Sequence, residues 1–259
     1  MLKHRLIPCL LVRNGGLVKT RKFANPSYVG DPINAIRIFN DKEVDELMVF
    51  DITASREGRE PDYALIGQCA GECFMPLGYG GGVRSVDDAR RLFALGVEKV
   101  SVQTAALDDL ALVSRLADQF GSQSVLISVD VKRNWRNKAV LFAAARGSAV
   151  AEDWQAFMVR AVEAGAGEVL LNAVDRDGEM GGMDLSLIQA AAGAVNVPVT
   201  AVGGVGSLKD IKAAVAAGAS AVGAGAFFVY HGPHRGVLIT YPRYDELEGL
   251  LGHDTRQVR

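Results

Sequence analysis

The stretch PLGYGGGVRSVDDARRLFALGVEKVSV (residues 76–102) aligns without a gap on PVTAVGGVGSLKDIKAAVAAGASAVGA (residues 198–224). Pro76 pairs with Pro198, Gly81-Gly82 with Gly203-Gly204, Ser85 with Ser207, Asp88 with Asp210 and Gly96 with Gly218, at a constant offset of 122 residues. That offset is close to half of the 259-residue chain. A repeat at this distance is half a domain, not a solenoid period. Each copy reads as a short apolar strand, a glycine pair, and a helix that opens on serine with an acid three residues later and closes on glycine.

Working outward, the same alternation covers the rest of the chain. Strands are expected at 6–12, 46–52, 75–80, 99–103, 125–131, 168–174, 197–202 and 221–227. Most are continuously apolar, as in a parallel sheet covered on both faces. Two further pairs fall near the repeat offset: VFD ending at Asp51 against AVD ending at Asp175, and LLV around Leu11 against VDV around Asp130. Eight strand–helix units in two halves predict a (β/α)8 TIM barrel built from two half-barrel repeats, one domain over residues 1–259. Chemistry then belongs at the C-terminal ends of the strands.

Composition narrows the class. A net charge of −2 with scattered Lys and Arg gives no footprint for nucleic acid or an anionic membrane. No run approaches the ~20 apolar residues of a membrane span. The apolar run after the first basic residues is short and is followed at once by Arg13, unlike a signal peptide. Cys9, Cys69 and Cys73 form no pairable framework and read as buried thiols of a reducing compartment. A soluble cytoplasmic protein without metal or cofactor is expected.

Several residues at the expected strand ends carry chemistry. Gly80-Gly81-Gly82 and Gly203-Gly204 each precede a capped helix, where close backbone approach and free N–H groups suit a phosphate. Two such places across one mouth suit a ligand with a phosphate at each end; the plain alternative is tight turns. Asp130 in SVDVKR interrupts an apolar strand at its end, as a general acid or base would, or as an aspartate paired with Lys132 or Arg133. Asp51 and Asp177 also lie at the mouth, where acids often only cap turns. Lys19 falls on a long first loop and reads as a lid lysine that closes on a phosphate, or as an ordinary surface lysine. Leu11 is the oddity in RLIPCLLVRNGGLVK (residues 5–19), an aliphatic group where a reactive one is expected.

The ordered motifs GDP (at Asp31), VDEL, VFDITAS, GGGVR, EKVSVQTAA, FGSQ, DVKR, GAGEVLLNAVDRDG and VGGVG resemble the cyclase subunit of imidazole glycerol phosphate synthase, up to about Phe228. The resemblance implies a lyase barrel that docks a glutaminase on its N-terminal face and passes ammonia to a bisphosphate ribonucleotide at the other. It implies an ammonia gate of Arg5, Glu46, Lys99 and Glu168. Phosphate contacts are implied at Lys19, Gly81, Gly82, Thr104, Gly203, Gly204 and Gly225, and catalytic acids at Asp130 and Asp177.

Three positions depart from the pattern. Leu11 stands where the family has its first catalytic aspartate, Val202 and Ala226 where it has serines. Past strand eight, FFVYHGPHRGVLITYPRY adds His231, His234 and Arg235 on the mouth side. That segment resembles a divergent branch from surface-polysaccharide loci, associated with acetamido-to-acetamidino sugar modification in lipopolysaccharide and O-antigen biosynthesis. Its partners there are a glutaminase and a separate sugar amidotransferase. The two histidines read equally as ligand contacts, an interface or loop polarity. Three functions stay open: a cyclase of histidine biosynthesis, an ammonia-delivering partner in sugar amidination, and a non-catalytic activator of a glutaminase. The intact gate charges disfavour the last, and Leu11 the first.

Overall fold

The computed structural model describes residues 4–252. Strand β1 (Arg5–Arg13) continues into an antiparallel hairpin, β2 (Gly16–Arg21) and β3 (Ala24–Gly30), before helix α1 (Pro32–Asp41). The first half proceeds through β4 (Leu47–Asp51), α2 (Ala54–Glu57), α3 (Tyr63–Glu72), β5 (Leu77–Gly80), α4 (Val86–Ala94), β6 (Lys99–Val102), α5 (Thr104–Asp108) and α6 (Ala111–Phe120). The second half repeats the plan. Strand β7 (Val125–Arg133) also turns back into a hairpin, β8 (Ala139–Ala143) and β9 (Ser148–Ala149), before α7 (Trp154–Glu163). Then come β10 (Glu168–Ala173), α8 (Leu185–Ala192), β11 (Val199–Val202), α9 (Leu208–Ala216), β12 (Ala221–Ala224) and α10 (Ala226–Val229). A small hairpin, β13 (Tyr230–His231) and β14 (Gly236–Val237), leads to α11 (Tyr244–Leu251).

Parallel pairing runs β1–β4–β5–β6–β7–β10–β11–β12, and β12 pairs back to β1. The chain is a closed (β/α)8 barrel. Residues 1–3 and 253–259 of the single-domain range lie outside the described residues. No helix among the described residues is long and apolar enough to cross a membrane.

The repeat motif folds as its sequence dictates. The Ser85 hydroxyl accepts from Asp88 N–H (3.0 Å), while the Asp88 carboxylate accepts from Arg84 N–H (3.0 Å) and the Ser85 hydroxyl (2.9 Å). In the second half Asp210 likewise accepts from Gly206 N–H (3.0 Å) and the Ser207 hydroxyl (2.9 Å). Two expectations need correcting. The strand at 221–227 stops at Ala224, because Gly225 turns the chain into α10. The loops after the first and fifth barrel strands are hairpins; their alternation is too short and too polar to separate from loop by pattern alone.

Side chains alternate along β1. Leu6, Leu10 and Val12 join the large core between barrel and helices, whereas Ile7 and Cys9 pack inside the barrel with Met48, Leu126 and Ala221. Below that inner layer, four charges occupy the strand starts. Arg5 donates to Glu46, and to Glu168 at 3.0 Å; Lys99 Nζ lies 2.8 Å from Glu46 Oε1 and 3.0 Å from Glu168 Oε2. Two cations and two anions thus close a ring, and Thr200 Oγ1 adds a 2.5 Å bond to Glu168. Glu46 and Glu168 are buried, so every one of these bonds offsets desolvation. Burial alone would raise the Glu168 pKa, but Arg5, Lys99 and Thr200 outweigh it and hold the carboxyl below its usual range.

Glu168→Gln should therefore lower unfolding stability at neutral pH by about 3 kcal/mol, since it leaves buried cations short of a partner. A depressed carboxyl stabilises above its unfolded pKa of about 4.3, and that contribution vanishes as pH falls through the folded value. The gap between variant and wild type should accordingly close in acid, as read by denaturant titration.

Candidate functional site

The C-terminal ends of the barrel strands carry a small set of inward residues. Leu11 is the last inward position on β1, in register with Val18 of the hairpin and Phe50 of β4. It is partly buried at the mouth, so the oddity in the sequence does face the barrel end where chemistry is expected.

Asp130 occupies the inward end of β7 and is 7% exposed. Its Oδ2 accepts from Gln103 Nε2 at 2.8 Å. The alternative partners are engaged elsewhere: Arg133 binds Asp184 at 2.7 Å, and Lys132 lies over the Phe142 ring. Burial pushes the Asp130 carboxyl up to about 7, against the Gln103 hydrogen bond and with a smaller contribution from the Asp177 charge. Asn172 stands in register beside it on β10, and its buried Oδ1 has no hydrogen-bond partner among the described residues.

Asp177 follows β10 and is met by the first hairpin. Its carboxylate accepts from Thr20 Oγ1 (2.7 Å) and Phe23 N–H (3.3 Å), and burial raises its pKa. Lys19 needs correcting from a loop residue to a residue of β2, 4% exposed. Antiparallel pairing of β2 on β1 sends its side chain into the mouth, where Nζ donates to the Cys9 carbonyl at 2.7 Å. Burial lowers its pKa to about 8, with the Cys9 and Asp177 charges opposing. Gly225 makes room for it, since a Cβ there would lie 2.7 Å from Nζ.

The two glycine pairs have equivalent surroundings. Gly81 (φ +123°) lies against the Asp51 carbonyl, and Gly203 (φ +98°) against the Ala173 carbonyl, so that a Cβ would come within 2.4 and 2.7 Å. Each therefore makes the tight turn that the plain alternative required, while leaving its backbone at the rim. Gly82 N–H is engaged by Ser55 Oγ at 3.0 Å. Gly203, Gly204 and Gly225 share one cleft with Asp177, Val202 and Ala226, which joins a catalytic candidate to the phosphate candidates of the second half. Thr104 begins α5, directly after Gln103. Asp51 caps its own turn, accepting from Thr53 N–H (2.9 Å), Thr53 Oγ1 (2.8 Å) and Ala54 N–H (3.0 Å).

Gln103, Asn172 and Thr20 are site residues that the sequence reading passed over. Gln103 and Asn172 both close inward faces of strands, so alternation counted back from the lower charges would have found them. Thr20 is placed by the unforeseen hairpin. Among the described residues, no group of three or more His, Cys, Asp or Glu is gathered to hold a metal ion.

Comparison with known proteins bears on this geometry. Residues 5–234 match the profile of the family described as histidine biosynthesis protein. A Pseudomonas aeruginosa protein provisionally named imidazole glycerol phosphate synthase subunit hisF2 is 51% identical over 96% of this chain and 99% of its own length. A similarly named protein of Leptospira interrogans is 46% identical over 97% of this chain and all of its own length. Imidazole glycerol phosphate synthase subunit HisF of Caulobacter vibrioides is 45% identical over 88% of each chain. Barrel topology, family profile and relatives agree, and the chain belongs to the HisF-like family of imidazole glycerol phosphate synthase cyclase subunits.

Proposed function

We propose that this chain accepts ammonia from a glutaminase partner at its charged face, carries it through the barrel, and serves acetamido-to-acetamidino sugar modification rather than imidazole ring closure. Leu11 carries the reading. Ring closure needs a positioned acid–base pair, and one half of the mouth presents a carboxyl at Asp130 while the matching position presents an aliphatic group. Losing one such group reduces rate on the order of 10²–10⁴-fold. The buried charge ring, by contrast, is complete.

In this reading Arg5, Glu46, Lys99 and Glu168 form a gate that opens when Lys99 swings away. Above it lie Ile7, Met48, Leu126 and Ala221, a layer a small neutral amine crosses more readily than an ion. The Met48 thioether packs against Gly78 and fills the space a Cβ there would take, at 2.1 Å from its sulfur. At the mouth Lys19, Gly81, Gly82, Thr104, Gly203, Gly204 and Gly225 hold a phosphorylated small molecule. Asp130, poised near neutrality, moves protons with Asp177 in support. A cytoplasmic setting suits the three free thiols. A second reading, an active cyclase of histidine biosynthesis, is favoured by the survival of Asp130 and Asp177 in one electrostatic neighbourhood.

Ammonia-dependent conversion of the bisphosphate ribonucleotide distinguishes the two. Wild type should turn over at least about 10²-fold more slowly than Leu11→Asp, and near-normal wild-type turnover would establish the cyclase instead. With a co-expressed glutaminase, Lys99→Ala should keep glutamine hydrolysis while uncoupling it from ammonia use; unchanged coupling removes the gate.

Asp130 also yields a pH signature. A carboxyl at about 7 when folded and about 3.9 when unfolded binds more proton in the native state, so its contribution to stability falls as pH rises between those values. Asp130→Asn escapes that loss. Relative to wild type it should gain about 4 kcal/mol between about pH 4 and about pH 8, measured by denaturant unfolding.

A further inference from the structure

The added hairpin β13–β14 has no part in the barrel, yet it reaches back over the mouth. Arg235, in its turn, donates from Nη1 to the Gly178 carbonyl at 2.9 Å and from Nη2 to the Glu179 carbonyl at 3.1 Å. Those carbonyls belong to the turn that begins with Asp177. The opposite side of the same turn is gripped by β2–β3. Lys22 N–H donates to the Asp177 carbonyl (2.9 Å), Arg21 makes a two-pronged bond to Glu179 (3.0 and 3.1 Å), and Thr20 and Phe23 hold the Asp177 carboxylate. Gly178 presses so closely on the Thr20 carbonyl that a Cβ would lie 2.1 Å away. Tyr230 completes the circuit, its hydroxyl 3.2 Å from Ser27 Oγ on β3.

Backbone conformation marks the same assembly. Of the eight described non-glycine residues at positive φ, five lie in it: Lys22, Phe23, Asn25, Met180 and Arg235. Such conformations persist where surrounding contacts over-determine them, and they gather at functional sites. Arg235 has φ +50°, a value at which glycine or asparagine is the ordinary choice. An arginine there is explained by its guanidinium, whose planar fork reaches two adjacent carbonyls at once.

We infer that Arg235 is a positioning residue: through the Asp177 turn it holds the first hairpin down and thereby keeps the Lys19 ammonium seated in the mouth. Lys19 neighbours Thr20, so the strand that bonds Asp177 is the strand that delivers the ammonium to the Cys9 carbonyl. Glu179 links the two sides directly, bonded by Arg21 through its side chain and by Arg235 through its carbonyl. His231 and His234 are both exposed on the added hairpin. The inference is independent of which molecule the mouth binds or converts.

Acetylation of the intact protein by acetic anhydride, resolved by peptide mass, reads the seat of Lys19 without any substrate. Arg235→Gly suits the turn and removes the fork. With every rate expressed per neutral amine from the labelling profile, Lys19 should then be labelled at least tenfold faster, and its apparent pKa should rise from about 8 toward the ordinary lysine value. Exposed lysines such as Lys138 serve as the internal reference. Amide exchange over 17–30 should quicken in parallel, and Arg235→Lys, with charge but no fork, should fall between. Wild-type labelling and exchange in a folded Arg235→Gly overturns the inference. Should that variant unfold, Arg235→Lys decides alone: Lys19 labelled less than twofold faster than in wild type overturns it equally.

Discussion

Closure of the sheet is the constraint from which the rest follows. Once β12 pairs with β1, every barrel strand has one inside and one outside, and strict alternation assigns each residue to one of them. On β1 this commits Arg5, Ile7, Cys9 and Leu11 to the interior in ascending order, and Leu6, Leu10 and Val12 to the helices. A charge of the lower ring, the inner apolar layer and the aliphatic mouth position are therefore consecutive inward residues of a single strand. Slipping that strand by one residue would bury the wrong set at every level.

The two ends of this interior treat buried charge in opposite ways. At the strand starts each carboxylate meets two cations, and Glu168 is held low despite its burial. At the mouth the compensation is deliberately incomplete in physical terms: Asp130 has one neutral donor, and Lys19 has one carbonyl within bonding distance. Burial then dominates, raising the acid and lowering the base until both approach neutrality. The lower ring stabilises, whereas the mouth stores unfavourable charge that only a ligand or a proton relieves.

Legibility in the sequence follows the same division. The strands and the capped helices are legible because continuous apolar runs and the Ser-x-x-Asp caps are local signals, repeated at Ser85 and Ser207. The four ring charges are legible through the family resemblance, and Asp130 as a charge ending an apolar run. What escapes is whatever depends on chain folding back on itself. Lys19 looks like a loop residue because β2 is made of GLVKTR, whose four buried residues become a strand only by pairing with β1. Gln103 and Asn172 escape for a different reason: alternation from Lys99 and Glu168 puts both on inward faces, but neutral polar residues stand out less than charges until Asp130 is seen between them.

The half-barrel symmetry gives the altered position its meaning. Both halves begin with a strand that turns into a hairpin over the mouth, and both place a glycine against the carbonyl that ends the next barrel strand. Against that regular background Leu11 and Asp130 are matched in place and opposed in chemistry. The hairpin above Leu11 carries a buried lysine, whereas the one above Asp130 is joined to it through Gln103, which also reaches the Phe142 carbonyl. Lys19 bonds the Cys9 carbonyl, and the Asp177 charge helps to hold its proton against burial. With an aliphatic group at position 11, the nearest carboxylate acting on Lys19 is Asp177, on the loop after β10. That loop is where the added C-terminal hairpin fastens.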